Sequence, residues 1–314
     1  MRTKSLGFAL LFAAIALFSA AWADDSFRTL TGHTNAVEGI AFAADGQTMV
    51  SGSFDGTIKV WRFSDGALLR TINAATSVVS VALTPDGQTI VSGDTDNNAK
   101  VWRLSDGALL RTLVGHTGYV KGVAITPDGQ TVITCGQGLD RTVKVWRLSD
   151  GALLKTLTGH TGRVNSVAVT PDGQTTVSGS EDATIKIWRL SDGALLRTLT
   201  GHVDMVLAVA VSPDGQTIVS GGVDNTVRVW RLSDGALLRT LTGHTERVKS
   251  VAVRPDGQTI VSGGDDNTIK IWRLATGDLV RTLTGHTAEI QTVAITPDGF
   301  WIASGSSAFE NMIK

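Results

Sequence analysis

Cysteine is nearly absent from this sequence: Cys135 is the single one among 314 residues, so no intramolecular disulfide can brace the fold. Such a chain must rely on its own apolar core, for which 42% hydrophobic content is ample. Aromatic residues are also few, at 6%, and Tyr119 is the one tyrosine. The charges nearly cancel, with 28 basic side chains against 29 acidic ones, and the basic residues are spread singly. That pattern lacks the electrostatic footprint of a nucleic-acid or anionic-lipid binder. Helix-capping patterns are scarce as well, whereas 35 glycines and abundant Val, Ile and Thr point to turns and strands.

The first 23 residues differ from everything after them. Arg2 and Lys4 make a basic start, Leu6 to Phe18 is an apolar run broken only by small residues, and Ala21-Trp22-Ala23 has the small-x-small form of a signal peptidase site. The reading is a signal peptide over 1–23, cleaved after Ala23, leaving 24–314 as a single domain in the periplasm or secreted. An uncleaved membrane anchor would need about 20 apolar residues, more than this run supplies, so no stable membrane insertion is expected after cleavage. Cys135 falls inside a predicted strand and reads as a small buried hydrophobe rather than a nucleophile or metal ligand.

What is abundant is repetition. Trp followed by Arg occurs at Trp61, Trp102, Trp146, Trp188, Trp230 and Trp272, with spacings of 41, 44, 42, 42 and 42. A period of about 40–45 residues is that of four-stranded propeller blades. The stretch from Arg247 gives the parts of one unit: a strand from Val248 to Val253, the Pro255-Asp256-Gly257 turn, a strand from Gln258 to Ser262, a short loop, and a third strand from Asn267 to Arg273. A fourth strand precedes the next Gly-His, as in Ala236 to Leu241 before Gly243-His244. Proline presets the first corner of each turn, aspartate bonds the local backbone, and glycine accepts the positive φ that follows.

Gly-His near the start of each unit, Ser-Gly and Asp further on, and Trp closing the third strand together resemble the WD-repeat β-propeller family, across essentially all of residues 26–314. The leader makes it look like an exported, bacterial-type member. The resemblance implies an all-β fold: a seven-bladed β-propeller of four-stranded antiparallel blades. It also implies a buried hydrogen-bond chain in each blade, running Asp to His to Ser or Thr to Trp. Carried over residue by residue, the chain is His33, Ser51, Asp55 and Trp61 in the first repeat, and His116, Thr134, Asp140 and Trp146 in the third, whose loop is longer. The fourth repeat has His160, Ser178, Asp182 and Trp188, the fifth His202, Ser220, Asp224 and Trp230, and the sixth His244, Ser262, Asp266 and Trp272. One departure is Arg after every Trp, where the family name has Asp.

Two units are imperfect. In the second, Asn73-Ala74-Ala75 replaces Thr-Gly-His, so Ser92, Asp96 and Trp102 lack an imidazole and this blade is expected to be the weakest. In the seventh, His286 and Ser304 are present, Glu310 stands in place of Asp, and the blade looks truncated before its Trp. Residues 27–33 match a fourth strand and its exit loop with no first three strands before them. They are expected to complete the last blade and close the ring, against a short third strand at Asn311 to Lys314.

Fold alone does not give function. The Pro-Asp-Gly and Ser-Asp-Gly turns, on one rim, barely vary between repeats. Variation concentrates on the opposite rim, after Gly-His and before the Asp. There lie Phe54, Tyr119, Leu139, Met205, Leu207, Val223 and Phe309, accompanied by Arg163, Arg247 and Lys249. Aromatic, Met and Arg side chains on one surface have the composition of an interface centre. Simple drift of unconstrained loops is the plainer explanation, but drift should have altered both rims. The expectation is a non-catalytic scaffold, without cofactor or metal, that binds a protein or peptide partner on this rim and is itself monomeric. The alternative is an exported propeller enzyme, or a small-ligand or sugar binder, using the central channel mouth. Catalysis would require convergent carboxylates, a nucleophile with its base, or a metal cluster, and none is recognisable.

Overall fold

In the first complete unit the strands Val37–Phe42, Thr48–Ser53, Thr57–Arg62 and Leu68–Asn73 pair in chain order as one antiparallel sheet. Its second and third strands are buried almost throughout, while the fourth is largely exposed. Strands covered on both faces by neighbouring sheets need continuous apolar sequence, so the Val- and Ile-rich inner strands show weak alternation. The hairpin turns use the chemistry read from the sequence. In the third unit Asp128 accepts the Gln130 amide at 2.9 Å, and Gly129 takes a left-handed φ of 69°.

The computed structural model describes Ala13–Ser19 and residues 27–307, and every regular element within them is a strand. The strands form seven four-stranded sheets, all paired antiparallel, so the molecule is an all-β propeller of four-stranded blades. Six sheets are continuous in the chain. The seventh has the order Ile290–Ile295, Trp301–Ser306, Ala13–Ser19, Phe27–His33. Phe27–His33 thus holds the fourth position, as read from the sequence, but its partner is different. The third strand comes from Ala13–Ser19, inside the segment read as a signal peptide, whereas the third strand expected at Asn311 to Lys314, with Phe309 and Glu310, lies outside the described residues. The Ala21 to Ala23 cleavage site lies outside them too.

Apolar packing runs between sheets rather than within them. Val50, Ile58, Val60 and Ile72 of the first sheet share a cluster with Val78, Val81, Ile90 and Trp102 of the second. The last and first sheets also touch: Ala303 and Leu30 cluster with Val37, Ile40, Met49 and Trp61. The Ser-Gly glycines mark these close approaches. A Cβ on Gly52 would lie 2.5 Å from Val78 Cγ1, and one on Gly305 would lie 2.7 Å from the Val37 carbonyl oxygen.

The arginine after each Trp has a simple outlet. In the first five repeats it leaves the buried strand and meets the Asp of the following Ser-Asp-Gly turn, with Arg62 at 2.8 Å from Asp65 and Arg231 at 2.7 Å from Asp234. These pairs are half exposed, and exposed pairs contribute about 0–1 kcal/mol, so the departure from the family's Asp leaves the fold unaffected.

Candidate functional site

The rim loops are held by the buried polar chains. In the first repeat His33 Nε2 is 2.7 Å from Ser51 Oγ, His33 Nδ1 is 2.7 Å from Asp55 Oδ2, and the Trp61 indole donates to Ser51 Oγ at 2.8 Å. The same contacts lie between 2.7 and 2.9 Å for His160, Ser178, Asp182 and Trp188, for His202, Ser220, Asp224 and Trp230, and for His244, Ser262, Asp266 and Trp272. In the third repeat the Thr134 hydroxyl lies 2.7 Å from His116 Nε2 and accepts the Trp146 indole N–H at 2.8 Å, and His116 Nδ1 stands 3.0 Å from Asp140. In the last, His286 is 2.6 Å from Ser304. Each Asp does more than hold a ring: Asp55 also accepts the Thr34 and Thr57 amides, from the loops on either side of the rim. Side-chain chemistry in the core therefore fixes the positions of the surface loops above it.

The charge states follow from burial and bonding. Burial alone would push the Asp55 carboxyl up, but hydrogen bonds from His33, Thr57 and Thr34 hold it well below the usual carboxylate range. Asp140, Asp182 and Asp224 are held low in the same way. For His33 and His244 burial dominates and depresses the imidazolium, in spite of the Asp beside each. In the His33 and His244 chains, ionised Asp with neutral His lets the ring donate from Nδ1 to the carboxylate and accept at Nε2 from the hydroxyl, which in turn accepts the indole N–H. No group of three or more His, Cys, Asp or Glu side chains suited to a metal ion occurs among the described residues.

The second repeat solves its missing imidazole differently, and the sequence reading did not see it. Lys100 Nζ stands 2.8 Å from both Asp94 Oδ2 and Asp96 Oδ2, and donates to the Ala74 carbonyl and Thr76 hydroxyl. Asp94 is fully buried, and that burial pushes its carboxyl up to about 6 against the pull of Lys100. Elsewhere the equivalent lysines donate to threonines of the fourth strand, as Lys59 does to Thr71 and Lys186 to Thr198. The available signal was a Lys amid an otherwise apolar Ala-Lys-Val-Trp strand, together with Asp94 at the position where other repeats carry Ser or Gly.

Inside the rim lies a central channel, a cavity of about 500 Å³ lined by first-strand residues of all seven sheets, from Ile40 and Val81 through Val123, Val167, Val209 and Val251 to Thr292. At its mouth stand Phe54, Met205, Leu207, Val223, Arg247 and Lys249, six of the ten rim residues singled out from the sequence. Tyr119, Leu139 and Arg163 are set one step outward. The carbonyls of Tyr119 and Arg163 accept the amides of Gln137 and Glu181, which do line the channel, and Leu139 is 84% exposed. Phe309 lies outside the described residues.

Charges around the mouth are mostly engaged. Lys121 reaches Glu38 at 2.9 Å. Lys249 is 2.7 Å from Asp265 and 2.6 Å from Glu289, whose carboxyl it holds below its ordinary value. Lys249 is therefore largely covered, whereas the Arg163 and Arg247 side chains stay 54% and 58% exposed. The Lys121–Glu38 and Lys249–Glu289 pairs were not legible in the sequence, because they join residues from different repeats.

This geometry is that of a repeat family, and comparison with known proteins agrees. Seven segments, 24–62, 66–103, 107–147, 151–189, 193–231, 235–273 and 277–313, match the WD domain, G-beta repeat. The chain belongs to the WD-repeat family. Among similar proteins are an uncharacterized WD repeat-containing protein of Synechocystis, 46% identical over 57 residues, and the small ribosomal subunit protein RACK1z of rice (Oryza sativa subsp. japonica), 45% identical over 40 residues. The matched stretches cover 17% and 13% of this chain, and only 16% and 12% of those relatives' own lengths.

Proposed function

We propose that the protein is a non-catalytic, monomeric scaffold, exported after removal of its leader, that binds a protein or peptide partner across the channel-mouth rim. The observation that carries this reading is the gathering of Phe54, Met205, Leu207 and Val223 around one opening, beside the exposed guanidinium of Arg247. Apolar anchors next to exposed arginine supply both burial and directional hydrogen bonding, the combination that hot spots use. The deep polar chains complement this role, because a rigid support lowers the ordering cost that a partner must overcome. Ring closure by Phe27–His33 belongs to the same proposal, since a closed ring keeps the mouth in one shape. Its support is the channel lining drawn from all seven sheets and the apolar cluster that Ala303 shares with Val37.

The test is a pull-down from the exported fraction with wild type, Phe54→Ala, Tyr119→Ala and Arg163→Ala as baits. Loss of the same partner from the variants is the expected outcome. Equal recovery by all four baits overturns the rim as the binding face.

A further inference from the structure

The last blade is assembled from three separate pieces of chain, and its third strand carries a further meaning. Ala13–Ser19 sits between Trp301–Ser306 and Phe27–His33 in the register that the third strand of the first blade keeps with its own neighbours. On one side Ile15, Ala16, Leu17 and Phe18 face Gly305, Ser304, Ala303 and Ile302, as Ile58, Lys59, Val60 and Trp61 face Gly52, Ser51, Val50 and Met49. On the other, Ile15 and Ala16 face Leu30 and Thr29, as Ile58 and Lys59 face Ile72 and Thr71. Ile-Ala-Leu-Phe-Ser thus takes the register positions of Ile-Lys-Val-Trp-Arg, with its aromatic residue at the tryptophan position. Two unrelated stretches sharing one residue pattern in one register point to a site with sequence requirements, since a merely sticky edge would not select the pattern.

We infer that the third-strand position of the last blade is a strand-binding slot for an extended peptide of the pattern aliphatic, any residue, aliphatic, aromatic. Ala13–Ser19 fills it in cis, and the slot accepts such a strand in trans when that segment leaves. Three features support exchange. Among the described residues the segment connects to a neighbouring strand of its blade only through the residues leading to Phe27, whereas every other third strand is held by a hairpin at both ends. It belongs to the apolar stretch whose removal after Ala23 would take it away. A second segment of the same chain suits the position by sequence alone: by repeat spacing from Glu310, Ile313 and Lys314 correspond to Ile58 and Lys59, and the family match extends to residue 313. Strand addition draws its affinity from main-chain hydrogen bonds and its specificity from alternate side chains, which fits a short apolar peptide.

The probe is a fluorescein-labelled Ala-Ala-Ile-Ala-Leu-Phe-Ser peptide carrying a solubilising Lys-Lys tag, with a control peptide in which Pro replaces Leu. The full-length chain is compared with its Leu17→Pro variant, in which the resident strand loses a ladder donor. The expected result, by fluorescence anisotropy, is binding to the variant at least tenfold tighter than to the wild type, and no binding of the control. Equal affinity for both chains overturns the slot. So does no binding by a folded variant, as when residues 311–314 take the position themselves. A variant that cannot fold counts against exchange, because the strand is then integral. Hydrogen exchange on the unmodified chain gives an independent reading: amides of Trp301–Ser306 should exchange at least tenfold faster than those of Thr48–Ser53. Equal protection in the two strands also overturns the proposal.

Discussion

At the residue scale, the histidines matter for stability. His160→Ala leaves the Ser178 hydroxyl and the Asp182 carboxylate without their shared partner, at about 1–3 kcal/mol for each buried orphan. Urea unfolding should show a lower midpoint with an unchanged slope. The pH dependence has a definite sign. His33 and His244 titrate below their ordinary 6.5 when folded, so their contribution is complete above 6.5 and is lost as pH falls through the folded value. Asp55, Asp182 and Asp224 titrate below their ordinary 3.8, so theirs is complete above 3.8 and is lost at still lower pH. Both act in one direction, and unfolding free energy should decline on acidification, first below about 6.5 and again below about 3.8. Asp94 acts in the opposite direction between about 6 and 3.8, so the profile is read in an Asp94→Asn chain, where a flat course from pH 7 to pH 3 would contradict these charge states. Cys135 is a separate case: burial raises its thiol to about 12, and the native protein should resist thiol-disulfide reagents until it unfolds.

At the scale of the element, the second blade shows what the sequence made legible and what it left hidden. Strands, turns and the absent imidazole could all be read from residue pattern, because each depends on local spacing. The replacement could not, since it needs Lys100, Asp94 and Ala74 to meet across three segments. Lys100→Met strips Asp94 of its counter-charge while leaving it buried, and breaking such a pair costs about 3–5 kcal/mol. Because Asp94 titrates near 6, above its ordinary 3.8, its own contribution is present below 3.8 and lost as pH rises through 6, opposite in sign to the histidines. The Lys100→Met penalty should therefore be larger at pH 8 than at pH 5, where Asp94 protonates. Denaturant melts of both chains at the two pH values measure this, and an equal penalty would mean that Asp94 is already neutral at pH 8. The rim divides in the same way. Phe54, Met205, Leu207 and Val223 could be found by comparing repeats, but the Lys121 to Glu38 and Lys249 to Glu289 pairs span blades, and no local pattern announces them.

At the scale of the molecule, a 42-residue period already implied stacked sheets, but it could not say which segment supplies the third strand of the last sheet, because two segments of similar character suit one position. Whether the first and last sheets pack as firmly as any other neighbours is open to a direct comparison. Gly52 and Gly305 hold the same place in the repeat. A Cβ on Gly52 presses on Val78 and Val81 of the second sheet, and one on Gly305 presses on Val37 of the first and on Thr292 of its own. Closely packed interiors do not yield to an added methyl, so Gly52→Ala and Gly305→Ala should each cost about 1–3 kcal/mol. Similar losses of thermal stability mean that the last-to-first junction is as tight as an ordinary one and that the ring is shut. If Gly305→Ala melts like the wild type while Gly52→Ala does not, the junction gives way under a single methyl group. The channel mouth then loses the fixed shape that a rim-bound partner requires.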